Sequence, residues 1–221
     1  MKPVRTLFVS AVFVALALGV AIWLWPQMPA QVPVHWDVHG QANGHASRLW
    51  AMAMWPLLIA ALAGLTALLP AISPRRFEIK PFAGIYGALM LAIQGVMLVL
   101  GMAAMAAGAG HAVPMTTIAL LAVGVLLMVL GNYMGKLRRN FFMGIRTPWT
   151  LASEAVWERT HRLAGWLFVL AGVAMVIAAP IPAVRWLSLG VVAVACLAPA
   201  VCSYFIYRRL EGLHPSEGDA P

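Results

Sequence analysis

Six stretches of about 20 apolar residues alternate with short polar segments along this chain, at about 6–25, 50–70, 82–107, 114–134, 163–182 and 186–207. A helix needs about 20 such residues to cross a hydrocarbon core of about 30 Å, so the pattern predicts six transmembrane helices. No Lys, Arg, Asp or Glu occurs between Lys80 and Lys136. That run is too long for one crossing, and Gly108-Ala109-Gly110-His111 with Pro114 supplies the dividing turn. Pro180 and Pro182 mark the end of the fifth span, Arg185 opens the sixth, and Pro199 is expected to kink the last helix. The expected fold is therefore all-α: a polytopic membrane protein with six transmembrane helices and a short cytoplasmic interfacial helix. Its expected organisation is a two-helix region with an external loop over 1–70, a four-helix region over 71–210, and a disordered tail over 211–221.

Two of the polar segments have patterns of their own. After the first span, Val32, Val34, Trp36 and Val38 alternate with Pro33, His35, Asp37 and His39. This period of two predicts a short extended segment. Its apolar face would lie on the bundle, and His35, Asp37 and His39 would share the other face. Gly40 and Gly44 supply turns. Imidazole and carboxylate suit zinc, so a metal site with His45 nearby is one reading. The alternative is a set of solvated loop residues hydrogen-bonding local backbone, and the spacing matches no established zinc pattern.

The segment from Gly131 to Arg162 concentrates the charge, with six of the 15 Lys and Arg residues and two of the seven acids. Thr147 before Pro148 is a helix start, and so is Ser153 before Glu154. From there Glu158 and Arg162 are i,i+4 partners, as are Trp157 and His161. A short interfacial helix running into the fifth span follows, with Arg146, Trp149, Trp157, Arg159 and Arg162 at headgroup depth. On a purely structural reading Arg146 satisfies carbonyls at a helix C-terminus while Trp149 and Trp157 anchor the interface. Gly131-x-x-x-Gly135 would permit close helix approach. Glu158-x-x-His161 resembles half of a di-iron ligand set, but the chain lacks the second half.

Composition narrows the function classes. The chain is 62% hydrophobic and only 10% charged, with a mean hydropathy of +0.87, which excludes an ordinary soluble domain. Every Lys and Arg except Arg48 and Arg185 falls on one side of a six-span arrangement, including Lys2, Arg75 and Arg76. The positive-inside rule then gives a cytoplasmic N-terminus and C-terminus. The net charge of +8 is thereby a matter of topology, facing lipid headgroups, and needs no nucleic acid. Residues 1–30 begin like a signal peptide, but the long apolar run with Trp23 and Trp25 reads as an uncleaved first span. Cys196 and Cys202 lie on different faces of the last span and read as packing residues, with no disulfide.

The spans carry no Asp, Glu, Lys or Arg, which argues against a proton-coupled pump. Gln94 is either one interhelical hydrogen bond or part of a polar cavity. No serine-hydrolase elbow, zinc-protease motif, phosphate loop or inverted repeat is legible, and no cofactor is implied.

The run Gly131-Asn132 to Lys136, then Asn140-Phe-Phe-Met-Gly144-Ile-Arg146-Thr147-Pro148-Trp149-Thr150, then Ser153-Glu154-x-x-Trp157-x-x-Thr160-His161-Arg162, resembles the SdpI family of bacterial membrane proteins. Pro33-Val-His35-Trp with Gly40 and Arg48 is similar to the uncharacterised N-terminal domain often fused ahead of the SdpI region. Together the two resemblances extend from about residue 10 to about residue 207. They imply a non-enzymatic immunity protein of the bacterial cytoplasmic membrane. Its partner would be a secreted peptide toxin or another membrane-active peptide, and a cytoplasmic repressor held at the membrane would be a second. The functional set they imply is Asn132, Asn140, Gly144, Arg146, Thr147, Pro148, Trp149, Trp157, Thr160 and His161 inside, with His35 outside. A transporter for a small solute, with a polar pathway beginning at Gln94 and Asn132, is the alternative. A metal-dependent membrane enzyme using His35, Asp37 and His39 is a third reading.

Overall fold

The computed structural model describes residues 3–37, 39–74 and 78–211. Lys2, Val38, Arg75, Arg76 and the tail from Gly212 to Pro221 lie outside the described residues. Among the described residues, six helices are long and apolar enough to cross a membrane. They are α1 (Pro3–Leu24), α2 (Arg48–Ile72), α3 (Ala83–Gly108), α4 (Met115–Met134), α6 (Glu154–Ala178) and α7 (Leu187–Leu210). A short helix, α5 (Pro148–Ala152), precedes α6. The helical class holds. One addition is a two-stranded antiparallel hairpin, β1 (Gln31–Trp36) with β2 (Ala42–Ser47), between α1 and α2.

Each span keeps an apolar surface outward, as lipid requires. Phe8, Ile22, Leu57, Trp166, Leu189 and Phe205 are among the large exposed side chains. Inward packing relies on small residues. The α4–α6 pair is the most extensive contact in the bundle. There, Gly131 abuts the carbonyl of Gly165 and Gly124 abuts that of Gly172, so that a Cβ on any of the four would strike backbone. Two glycines seven residues apart on each antiparallel helix thus form one seam, and the backbones meet where no side chain intervenes. The predicted Gly131-x-x-x-Gly135 pair is half right: Gly135 is exposed, with open space around its Cα.

The α1–α2–α3 group is tied by polar contacts at its centre. Gln94 is fully buried and donates from Nε2 to Thr66 Oγ1 at 3.1 Å, while Thr66 donates to Leu62 O at 2.7 Å. The Tyr86 hydroxyl lies 3.1 Å from the carbonyls of both Leu65 and Thr66. This is the single interhelical hydrogen bond expected of Gln94, and it joins α3 to α2. α3 packs against α1, α2 and α4, making it the shared element of the bundle. α7 runs through the buried Pro199, and Cys196 and Cys202 are free.

Two arginines close the hairpin end. Arg48 donates to Met28 O at 3.3 Å and lies 4.7 Å over the Trp25 ring. Arg185 donates from Nε to Ala179 O at 3.0 Å and from Nη2 to Thr117 Oγ1 at 2.8 Å, joining the α6–α7 turn to the start of α4. These are the two cations that break the one-sided charge distribution, and each holds the fold together locally.

Candidate functional site

The segment between α4 and α6 folds into a clasp built on its own backbone. Asn140, fully buried, is its first organiser. Its Oδ1 accepts the amides of Phe142 at 2.9 Å and Met143 at 2.7 Å, and its Nδ2 donates to Arg138 O at 2.9 Å and Met143 O at 3.1 Å. A buried amide with four partners is fully used, which is why no shorter or apolar side chain would substitute.

His161 is the second organiser. It is fully buried on α6, one turn after Trp157, and the two rings stack with centroids 3.9 Å apart. Nδ1 lies 2.8 Å from Trp157 O, which can only accept, and Nε2 receives the Ile145 N–H at 3.0 Å. Both contacts are met only by the neutral ring carrying its proton on Nδ1. Gly144 sits against this ring with φ +95°, and a Cβ there would fall on Nε2. The position needs glycine for its conformation and for its closeness. Trp157, also fully buried, donates from Nε1 to Leu137 O at 2.6 Å.

Thr147 and Thr150 finish the clasp. Thr147 caps α5, accepting the Thr150 amide at 3.2 Å, while Thr150 Oγ1 accepts the Thr147 amide at 2.9 Å and bonds Ile145 O at 2.9 Å. This is a reciprocal cap with threonine in the place usually held by Glu or Gln. Thr147 also meets Ser203 of α7, Oγ to Oγ at 2.9 Å, and Trp149 packs edge-on against Tyr204 at 5.2 Å. Ser153 caps α6, as its position before Glu154 predicts, accepting the Val156 amide at 3.4 Å. The clasp therefore locks α4, α6 and α7 to one another at the end of the bundle opposite the hairpin.

Most of the expected residues converge here, with three corrections. Asn132 is exposed on α4, outside the network. Trp157 is no interfacial anchor: it is sealed in the core because its indole N–H has a carbonyl to reach. Arg146 is exposed and donates to Phe141 O at 2.7 Å, not to a helix C-terminus. That task falls to Arg139, which donates to Leu151 O at 3.1 Å and Ala152 O at 3.3 Å and pairs with Glu154 at 3.2 Å. As the start at Ser153-Glu154 predicts, α6 begins at Glu154 and runs on into the apolar stretch of the fifth span. Pro148 occupies the first turn of α5 and is exposed. Thr160 is fully buried, its hydroxyl without a hydrogen-bond partner among the described residues.

Arg139 and Ser203 also belong to the network, as does Thr150, which stands in the motif but outside the functional set that it implies. For Thr150 a signal existed, since Thr-x-x-Thr has the spacing of a capping box. Arg139 and Ser203 offered none. The alternative pathway from Gln94 and Asn132 does not assemble either: the first is sealed between α2 and α3, and the second is exposed on α4.

At the other end, β1 turns its apolar face inward as predicted. Val32 is buried so tightly that a Cβ on Gly108 would meet it at 2.5 Å. β1 ends at Trp36, however, so Asp37 and His39 leave the strand and do not share a face with His35. The Asp37 carboxylate accepts the amides of His39 and Gln41, both at 2.9 Å, closing the turn. These amides, that of Gln41 foremost, hold its pKa below the usual 3.8. The His35 ring pairs instead with Asn43 of β2. No group of three metal-ligating side chains assembles among the described residues, so the zinc arrangement is not formed.

Residues 136–203, which contain the clasp, α6 and most of α7, match the SdpI/YfhL protein family. This part of the chain is similar to the SdpI region of that family. Residues 12–60, covering the hairpin and most of its two flanking helices, match a domain of unknown function (DUF1648). Over 209 residues the chain is 25% identical to the immunity protein SdpI of Bacillus subtilis (strain 168), spanning 92% of this chain and 97% of that one. No solved structure matches. The two matched stretches thus contain the two polar centres of the fold, the clasp and the hairpin, with α3 and α4 between them in the chain.

Proposed function

We propose that this multi-pass membrane protein gives its host immunity to a secreted membrane-active peptide toxin. The observation that supports the reading most is the likeness to the Bacillus subtilis immunity protein, which extends over nearly the whole of both chains and so includes hairpin and clasp together. The protein lies in the bacterial cytoplasmic membrane with both termini inside, as the one-sided charge implies. The hairpin end then faces the side from which a toxin arrives.

The role is non-enzymatic, with binding as its chemistry. The clasp keeps α4, α6 and α7 in register, so its buried members act through the fold. Its exposed members are a different matter. Phe141, half exposed, and Arg146, bonded to the Phe141 carbonyl, present an aromatic and a cationic group side by side. This pair is the surface that a cytoplasmic repressor would meet if the protein also signals. The experiment is survival of a sensitive bacterium expressing the chain and challenged with secreted membrane-active peptides. A raised inhibitory concentration supports immunity, and an unchanged one removes it.

A further inference from the structure

Beneath the hairpin lies a groove of about 290 Å³, lined by Trp36 and Asp37 of the hairpin, Trp55 of α2, Leu100 of α3, and Thr116 and Leu120 of α4. We propose that this groove binds a cationic side chain of a membrane-active peptide, with Asp37 as counter-ion and Trp36 and Trp55 as aromatic walls. This rests on the immunity reading and names the chemistry of its partner.

Three observations support it. The first is charge. In the inside-terminus topology Asp37 is the only acid on the outer side, since the other Asp and Glu residues lie in the inner segments and the tail. The second is availability. Oδ1 of Asp37 accepts the amides of His39 and Gln41, and among the described residues no Lys or Arg forms an ion pair with the carboxylate. The outer arginines, Arg48 and Arg185, are committed to backbone carbonyls, a tryptophan face and Thr117, and neither pairs with Asp37. Within its own turn Asp37 has His39 as its one titratable neighbour.

The third is shape and setting. Thr116 donates from Oγ1 to the Asp37 carbonyl at 3.2 Å, fixing the turn over the start of α4, where both residues line the groove. The rest of its surface is mainly apolar. A peptide that disturbs membranes carries Lys or Arg on one face and apolar side chains on the other. Such a peptide places both kinds of group where this groove offers a carboxylate, aromatic faces and aliphatic wall. A cation above a tryptophan gains more where water is displaced, and a carboxylate beside it adds a charge-assisted hydrogen bond.

The test uses the full chain purified in detergent micelles or nanodiscs. The probe is a fluorescent amphipathic peptide of lysine and leucine, compared with the same peptide carrying acetylated lysines. Asp37→Asn is the decisive variant, because asparagine keeps the oxygen that accepts the His39 and Gln41 amides while removing the charge. Thermal unfolding checks that it remains folded. Native protein should bind the cationic peptide roughly tenfold more tightly than the acetylated one, and Asp37→Asn should lose that preference. Trp36→Leu should weaken binding of the cationic peptide alone. Equal affinities for native and Asp37→Asn protein, or no binding, overturn the proposal even where the chain protects cells. A preference that depends on Asp37 supports the groove even in cells that gain no protection, so the two failures are separable.

Discussion

Gly144 lies against the imidazole of His161 so closely that a side chain at 144 would occupy the place of Nε2. With φ at +95° the position also excludes most L-residues from its conformation. Gly144→Ala should therefore cost about 1–3 kcal/mol and loosen the clasp. Thermal unfolding in detergent, with limited proteolysis of the 136–147 segment, reads both effects. An unaltered midpoint and digestion pattern would mean that this contact does not organise the segment.

The α4–α6 seam gives a contrast between two nearby glycines. Gly131→Val drives a branched side chain into the backbone of Gly165, whereas Gly135→Val enters open space. The first should destabilise by more than the roughly 1–3 kcal/mol typical of overpacking, because the opposing atoms are backbone. The second should leave membrane abundance unchanged. Equal effects at the two positions would refute the seam.

Trp157 and Arg146 should separate in the same way. Trp157→Ala empties a fully buried site and orphans the Leu137 carbonyl, a loss of about 3–5 kcal/mol that should deplete the protein from the membrane. Arg146→Ala removes one exposed hydrogen bond, worth about 1 kcal/mol, and should leave abundance intact. Quantitative blotting of membrane fractions at matched expression checks both. Full abundance of the Trp157 variant would return that residue to the interface.

Orientation is open to direct labelling. In a variant with Cys196 and Cys202 replaced by alanine, His39→Cys in the exposed hairpin turn should react with an impermeant maleimide in intact cells. Arg209→Cys should react only after permeabilisation. The reverse pattern would invert the topology and place the hairpin groove inside.

How much of this was legible in sequence depends on what carries each element. Six crossings could be read because each needs a long apolar run, yet the start of α6 could not be placed by hydropathy. Its first turns, Glu154 to Arg162, are polar and helical together, and only the Ser153 cap marks their beginning. In the hairpin, Val32 and Val34 announce β1 by alternation. β2, Ala42–Ser47, has no such pattern and exists because β1 and the Asp37 turn bring it into register. Leaving the strand at Asp37 separated the three groups of the expected zinc site. The clasp was visible as a cluster of unusual residues, but not as a mutual network. That Trp157 is buried depends on a carbonyl twenty residues away, and that Arg139 rather than Arg146 serves a helix end depends on where α5 stops.

Protection is the central claim, and survival measures it most directly. Cells of a toxin-sensitive bacterium would express the native chain or an empty vector and be exposed to a graded series of secreted membrane-active peptides. Colony counts would be taken after each dose, with membrane abundance verified by blotting. The account predicts a higher lethal dose for at least one peptide in cells carrying the native chain. Identical killing curves for every peptide, with the protein present in the membrane, would contradict it.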